Sequence, residues 1–495
     1  MALVSGYGAN NAASHSSPPM ASVPLTDMTT AGAQAYAGQP PDYEPETGGP
    51  TGRKMSRIDA KSVVGTDSDS DMTVGKQMEL EAGNAIKYRT CSWPKTAALL
   101  FSEYICLAIM SFPYSYSVLG LVPGLILTVV VAALVLYTSL IVWQDSRNHA
   151  SNAVPSWLTF LKGFHCLVGA KYLNTITNHG VCTIGFSAIV ACISFFCSLP
   201  RTFSTLAKLG TASAFFTFIS VLLATIFAGI EAHPNGYPKF GEPTVLIIPA
   251  AGTTFVAGMN AFMNISYTFI GQITIPSFIA EMKDPRDFPK ALWAVTIAEV
   301  ILFSLVGSIV YAYTGTNYNT APAFGSLGNE TFKKVSFSFM IPTLIFLGVL
   351  YASVSARFVF FRIFAGSRHL GNHTVIGWLS WAGILAATWV LAFIIAEVIP
   401  FFSDLLSLMS SLFDSFFGFI FWGVAYLRMR HADHGDGFWR DRGIKGFAGF
   451  ALNIACILIG LLFLSAGTYA SVESIIQGYQ QSTVGSAFTC ASNGL

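Results

Sequence analysis

Eleven apolar runs separated by short polar links set the pattern of this chain. They fall at 93–117, 125–143, 157–172, 180–199, 209–230, 253–280, 292–314, 335–364, 375–398, 401–426 and 447–470. A run of about 20 apolar residues crosses the ~30 Å hydrocarbon core as a helix, whereas a spanning strand needs only ~10 alternating residues. The pattern therefore predicts an all-α integral membrane protein of about 11 spans. The third run is the weakest, because its length covers only ~24 Å as a helix and it carries Lys162 and His165. The eighth is long enough to tilt or to leave the bilayer. Residues 1–90 lack apolar periodicity and are rich in Pro, Gly, Ser, Ala and Thr, which predicts a disordered tail. Its DSDSD run at 67–71 reads as a solvated segment or as a phosphorylation patch controlling trafficking or turnover.

The sixth run is interrupted. Residues 260–290 read NAFMNISYTFIGQITIPSFIAEMKDPRDFPK, with Gly271 and Pro276 in mid-run and Asn264, Ser266, Tyr267 and Gln272 around the break. In hydrocarbon every backbone N–H and C=O needs a partner, so a broken helix is tolerated only where it lines a cavity or a wet site. The first span carries a second break, expected at Ser111, Phe112 and Pro113. The two broken spans sit five apart and cross in opposite directions. That is the mark of an inverted-repeat transporter with its site at the midplane. Spans one to five and six to ten form the halves, and the eleventh is an addition. Free N–H groups at a half-helix start hold a carboxylate, and free C=O groups at a half-helix end hold an ammonium or a cation. A zwitterionic amino acid presents both. Each proline alone reads equally well as an ordinary kink; the matched positions favour the site.

Composition agrees with the pattern: 53% of residues are hydrophobic and 11% charged, against roughly a quarter charged in soluble domains. The net charge of +1 carries no information about partners, so the placement of charge matters more. With the tail placed inside, the inner links hold Arg147, Arg201, Lys208, Lys283, Arg286, Lys290, Arg357, Arg362, Arg368, Arg428, Arg430, Arg440, Arg442 and Lys445. The outer links hold only Lys171, Lys239, Lys333 and Lys334, which predicts a cytoplasmic N-terminus. Residues 477–495 then form an extracellular tail, and the Asn329 sequon becomes a glycosylation candidate on the outer side. Cys106, Cys166, Cys192, Cys197 and Cys456 lie in apolar runs and read as small core residues. Without a CxxC or a Cys/His cluster, neither a metal nor a cofactor is expected. The expected partners are an amino acid and the lipid bilayer, with no nucleic acid.

Glu103, Glu299 and Asp414 are the acids furthest inside apolar runs. Burial disfavours the charged form of a carboxylate, so such groups are candidates to carry a coupling proton. Glu103 leads because it shares a helix with the first break. Sodium is the rival ion; it needs oxygen ligands, which Ser353 and Ser355 of the eighth span can offer. No HExxH or GxSxG motif appears, and an enzyme is not expected.

Several stretches resemble the fungal branch of the amino acid/auxin permease family: SFPYSYSVLGLVPG, HCLVGAKYLNTIT, LPRTFSTLAKLGTASAFFTFISVLLATIFAGIE and GQITIPSFIAEMKDPRDFPKAL. The closest look is to its methyltryptophan-resistance-type neutral and aromatic amino acid permeases, over residues 88–476. The resemblance implies the leucine-transporter fold, eleven spans, and secondary active import of amino acids, usually with protons. It also implies a substrate held between Ile109, Met110, Ser111, Phe112 and Tyr114 of the first span and Ser266, Tyr267 and Gly271 of the sixth. Residues 144–162 depart from the family, whose members have a longer segment there, so the transmembrane domain of 91–476 is expected to carry a short, atypical third span at 157–172. The reading is an importer of neutral, large aliphatic or aromatic amino acids by proton symport at the plasma membrane, with the vacuolar membrane as alternative. Its tail is a candidate for binding trafficking or ubiquitin machinery. The alternatives are a sodium-coupled symporter and a non-transporting amino acid sensor of the same fold.

Overall fold

The computed structural model describes residues 91–148 and 158–495, except 202, 232, 239, 270, 365–366, 400–401, 442 and 482–487. The tail with its DSDSD run lies outside the described residues. Among those described, the elements are helices. The first span is α1 (Trp93–Tyr104), a 3-10 turn (Leu107–Ser111) and α2 (Phe112–Leu119). Four whole helices follow: α3 (Leu121–Asn148), α4 (Leu158–Thr177), α5 (Thr183–Ser198) and α6 (Phe203–Ile230). The sixth span is split into α7 (Phe255–Phe269) and α8 (Ile275–Glu281), and α9 (Phe288–Thr314), α10 (Glu330–Ile363) and α11 (Val375–Val398) come next. The tenth span runs from α12 (Phe402–Met409) through a π-helical stretch (Ser410–Ile420) into α13 (Phe421–His434). The last runs from α14 (Gly443–Leu462) through a π turn (Phe463–Gly467) into α15 (Thr468–Gln480).

The helices sort into two groups by packing. Spans one, two, six and seven contact one another, as do spans three, four, eight and nine. With both broken spans in the first group and five spans per half, this is a leucine-transporter-like five-plus-five architecture. Burial follows. The most apolar stretch of the first span is 83% buried and that of the eighth 72%, against 28% for the ninth and 22% for the eleventh. The peripheral helices turn side chains such as Phe215, Leu379 and Leu458 outward. A helix apolar all round fits either a core or a bilayer; here the central spans supply the former and the peripheral ones the latter.

The third helix reaches Thr177, five residues beyond the predicted end, because its polar terminal turns find partners. Tyr172 meets Ser338 at 3.1 Å, and the Asn174 amide donates to the Thr183 hydroxyl at 2.9 Å. Phe164 and His165 of this helix line the central cavity, and its described length runs on from there to Thr177.

The two faces of the molecule are closed by different chemistry. On the face holding Arg201, Arg357 and the loop after α8, Glu281 pairs with Arg357, whose Nη2 also donates to the Arg201 carbonyl at 2.9 Å. Trp143 Nε1 donates to the Pro285 carbonyl at 2.8 Å, fixing the charged, proline-bearing loop to the end of α3. On the opposite face, Cys182 at the start of α5 is disulfide-bonded to Cys490.

Candidate functional site

Both breaks are real interruptions, and they face each other. In the sixth span the helix stops at Phe269 and resumes at Ile275, with Pro276 in its first turn, where a missing N–H costs nothing. In the first span the break lies upstream of the expected place. Helix α1 ends at Tyr104, and Ile105 and Cys106 leave helical geometry, with ψ of 71° and −168°. Pro113 sits in the first turn of α2 and marks where the helix resumes, not where it breaks. Glu103 is therefore beside the break and not two turns ahead of it. The first backbone bond of the following turn runs from Ile109 N–H to Cys106 C=O at 3.1 Å. The N–H groups ahead of it have no intrahelical acceptor.

The breaks are joined by side chains. The Thr274 hydroxyl donates to Glu103 Oε1 at 2.7 Å and lies 2.8 Å from the Gly271 carbonyl, so one proton serves two acceptors. Among the described residues, Glu103 Oε2 is buried without a hydrogen-bond partner of good geometry. Gly271 is required for the close approach, because a Cβ there would fall inside the Tyr104 ring. We expect Gly271→Ala to lower uptake about tenfold or more at unchanged surface level, since overpacking costs roughly 1–3 kcal/mol. Radiolabelled uptake alongside surface biotinylation checks it. Wild-type uptake would show that the Tyr104 ring is free to leave.

A central cavity of ≈ 30 Å³ opens at this junction. It is lined by Glu103, Tyr104 and Cys106 of the first span, Tyr267, Thr268, Gly271, Ile273 and Thr274 of the sixth, Phe164 and His165 of the third, Leu347 and Tyr351 of the eighth, and Met409, Phe413 and Asp414 of the tenth. Aromatic rings form much of the wall: Phe164 lies 6.1 Å from Tyr267 and His165 5.7 Å from Tyr351, centroid to centroid. Two carboxylates face the space and no Lys or Arg does among the described lining residues. The space is small, so a bulky amino acid enters only as side chains such as Tyr267 and Phe413 swing aside.

Of the residues expected from the sequence, Tyr267, Gly271, Glu103 and Asp414 line this cavity. The others do not. Ile109 and Met110, within the turn, and Phe112, just after it, are buried in the core; Phe112 packs its ring 4.8 Å from Phe303 and 6.3 Å from Phe269. The Ser111 hydroxyl donates to the Ala108 carbonyl at 2.7 Å, and Tyr114 is half-buried one turn into α2. Asn264 donates to the Ser403 hydroxyl at 2.7 Å and Gln272 to the Thr138 hydroxyl at 2.9 Å. Ser266 is buried, with its hydroxyl unpartnered. Glu299, on α9 against α1, is buried away from the lining. The Ser353 hydroxyl is buried and unpartnered, while Ser355 donates to the Tyr351 carbonyl at 2.7 Å. Asn329 caps α10, its Oδ1 accepting from Thr331 N–H at 2.9 Å. Apart from Asp414, the cavity residues of spans three, eight and ten were not foreseen as site residues, since aromatic and aliphatic side chains in apolar runs give no local signal.

A multi-pass membrane protein with two broken helices meeting around a mid-protein cavity has the architecture of a transporter. The chain belongs to the transmembrane amino acid transporter family: the model described as "Transmembrane amino acid transporter protein" matches residues 158–473. It is 30% identical over 440 residues to the "N amino acid transport system protein" of Neurospora crassa, covering 84% of this chain and 91% of that one. It is 28% identical over 453 residues to a "Transmembrane transporter" of Gibberella moniliformis, covering 86% and 93%. Among solved structures it is similar to a nucleobase–cation symport-1 family transporter in a closed conformation with bromovinylhydantoin bound. That likeness has a TM-score of 0.43 at 14% identity and covers 83% of this chain and 97% of the other.

Proposed function

We propose that this protein imports neutral amino acids with large side chains by proton symport, alternating between two closed faces. The observation that carries the proposal is Glu103: a buried carboxylate at the first break, in the cavity, and bonded to the sixth break through Thr274. A zwitterion brings no net charge, so the coupling charge must sit on the protein. Glu103 is the group placed to gain or lose it, with Asp414 as the second acid of the cavity and Glu299 behind it. The substrate ammonium lies toward the two carboxylates and its carboxylate toward the N–H groups of the first-span turn. The aromatic wall suits a bulky apolar side chain, and the Neurospora relative's name, N amino acid transport system protein, fits neutral substrates.

The basic-residue asymmetry supports a cytoplasmic N-terminus and a cytoplasmic Glu281–Arg357 face, with the Cys182–Cys490 face and Asn329, a glycosylation candidate, outside. The plasma membrane is the proposed location, and residues 1–90 are proposed to engage trafficking or ubiquitin machinery. Sodium coupling is the second reading, favoured by the unpartnered Ser353 hydroxyl. A competition panel of amino acids, run against pH with and without sodium, tests the reading. Sodium-independent accumulation that rises as the external pH falls is expected, inhibited best by large neutral amino acids. Loss of uptake on removing sodium at fixed pH overturns proton coupling. Binding without accumulation would make the protein a sensor.

A further inference from the structure

The segment 488–495 crosses the face that carries the disulfide and is held there by a dense set of bonds. Beyond the Cys182–Cys490 disulfide, the Thr183 hydroxyl donates to the Ala491 carbonyl at 2.7 Å. The Asn174 amide donates to the Asn493 side chain at 2.8 Å, and Leu495 N–H donates to the Thr175 hydroxyl at 3.0 Å. Phe488 N–H reaches the Glu397 carbonyl at 3.4 Å. These partners belong to spans three, four and nine, the packing group that excludes both broken helices.

The segment ends on a different element. The loop between the seventh and eighth spans folds into a buried 3-10 turn, Ala323–Ser326, that packs against the turn Leu107–Ser111 of the first break. Phe324 of this turn is buried and stacked on Phe337 at 5.0 Å. The outer side of the turn is covered by Leu495: a Cβ on Gly325 would lie 3.3 Å from its Cδ2. The turn thus covers the first break on this face, and Leu495 sits against its back.

We propose that residues 488–495 are a latch: cross-linked to the scaffold through Cys490, they press Leu495 onto the Ala323–Ser326 plug and hold the disulfide face closed over the first break. An opening of that face must lift the plug, and lifting it must displace Leu495 or strain a segment fixed at 490. Reduction of the disulfide by an external dithiol, which gives up two electrons and two protons as it closes to its own disulfide and leaves Cys182 and Cys490 as thiols, frees the segment and makes the plug easier to lift. The latch is a redox-sensitive control on how often the cavity opens to that side. Its consequence for transport rests on the alternating-access reading above, but its test needs neither substrate nor transport.

The native thiol of Cys106, at the first break and buried in the cavity wall, is the reporter. The purified full-length chain in lipid nanodiscs is labelled with a hydrophilic maleimide, and the rate at Cys106 is read by peptide mass spectrometry. The measurement is made before and after mild reduction that opens Cys182–Cys490, and in Leu495→Ala with the disulfide intact. Allosteric couplings of this kind are worth about fivefold or more, and a rise of at least about fivefold at Cys106 is expected in both arms. Acute reduction of already folded protein keeps the test independent of how a cysteine variant folds. An unchanged Cys106 rate in either arm overturns the latch.

Discussion

Glu103→Gln abolishes proton-driven accumulation of amino acid while leaving exchange of amino acid across the membrane near the wild-type rate. The expectation comes from the bond that Glu103 makes. Thr274 has one hydroxyl proton and two acceptors within reach, Glu103 Oε1 at 2.7 Å and the Gly271 carbonyl at 2.8 Å. An ionised carboxylate attracts that proton more strongly than a neutral carbonyl does, since charge-assisted bonds are about twice as strong. When Glu103 takes up a proton it becomes a donor as well, and the Thr274 hydroxyl is released to Gly271. Protonation in the first span thereby changes a side-chain-to-backbone bond at the break of the sixth. Glutamine keeps an oxygen for Thr274 and nearly the same shape, but it has one state only. The link between the breaks survives and the switch does not. A loss of at least about tenfold in accumulation ratio is expected, which is ~1.4 kcal/mol of lost driving force, with counterflow retained. Glu103→Ala, by contrast, removes the bridge and lowers both. The measurement is pH-gradient-driven uptake and counterflow in proteoliposomes. Full accumulation by Glu103→Gln would show that Glu103 carries no coupling proton and would move attention to Asp414.

How much of this site could be read from the sequence depended on whether a break announces itself. In the sixth span it does. Gly271 removes the side chain where Tyr104 approaches, and Pro276 restarts the helix, so both ends of the gap are marked by residues with unusual backbone chemistry. In the first span only the restart is marked. Ile105 and Cys106 are ordinary helix-compatible residues, and their unwinding is imposed by contacts made 165 or more positions away, through Tyr104 against Gly271 and Glu103 to Thr274. Sequence reasoning therefore placed the break at Pro113 and drew the site toward Ile109 and Met110, which are core. Asp414 was legible as an acid in an apolar run, but the π-helical stretch around it has no local signal. The disulfide was invisible for a related reason. Cys182 and Cys490 are 308 residues apart, and only the fold brings Cys490 to the start of α5.

The second large effect is expected at the other face, where Glu281→Ala opens the gate. Helix α8 has only seven residues, too few to be stable alone, since isolated helices need ~12–15 residues even to be marginal. Its position is set from both ends. Thr274, just ahead of it, bonds to Glu103, and Glu281, its last residue, pairs with Arg357 of the eighth span. The second link crosses between the two packing groups. Both partners are largely buried, the side chains retaining 6% and 12% of their exposure. The backbone joins in: Cys91 N–H donates to the Glu281 carbonyl at 2.9 Å, and Lys283 N–H donates to the Cys91 carbonyl at 2.8 Å. Cutting one partner from a buried pair costs roughly 3–5 kcal/mol, because the remaining charge is left uncompensated. Here that penalty falls on the closed state alone, since an open gate lets water reach Arg357. The closed-to-open ratio should drop by about two to four orders of magnitude, leaving the face open most of the time and net uptake reduced more than tenfold. Cys91, a thiol outside any disulfide and 2% exposed in the closed state, supplies the direct reading, and its maleimide reactivity should rise sharply in Glu281→Ala. The swapped pair, Glu281→Arg with Arg357→Glu, should restore part of both the protection and the uptake. Unchanged Cys91 labelling in Glu281→Ala would show that the backbone bonds hold the gate shut without the ion pair.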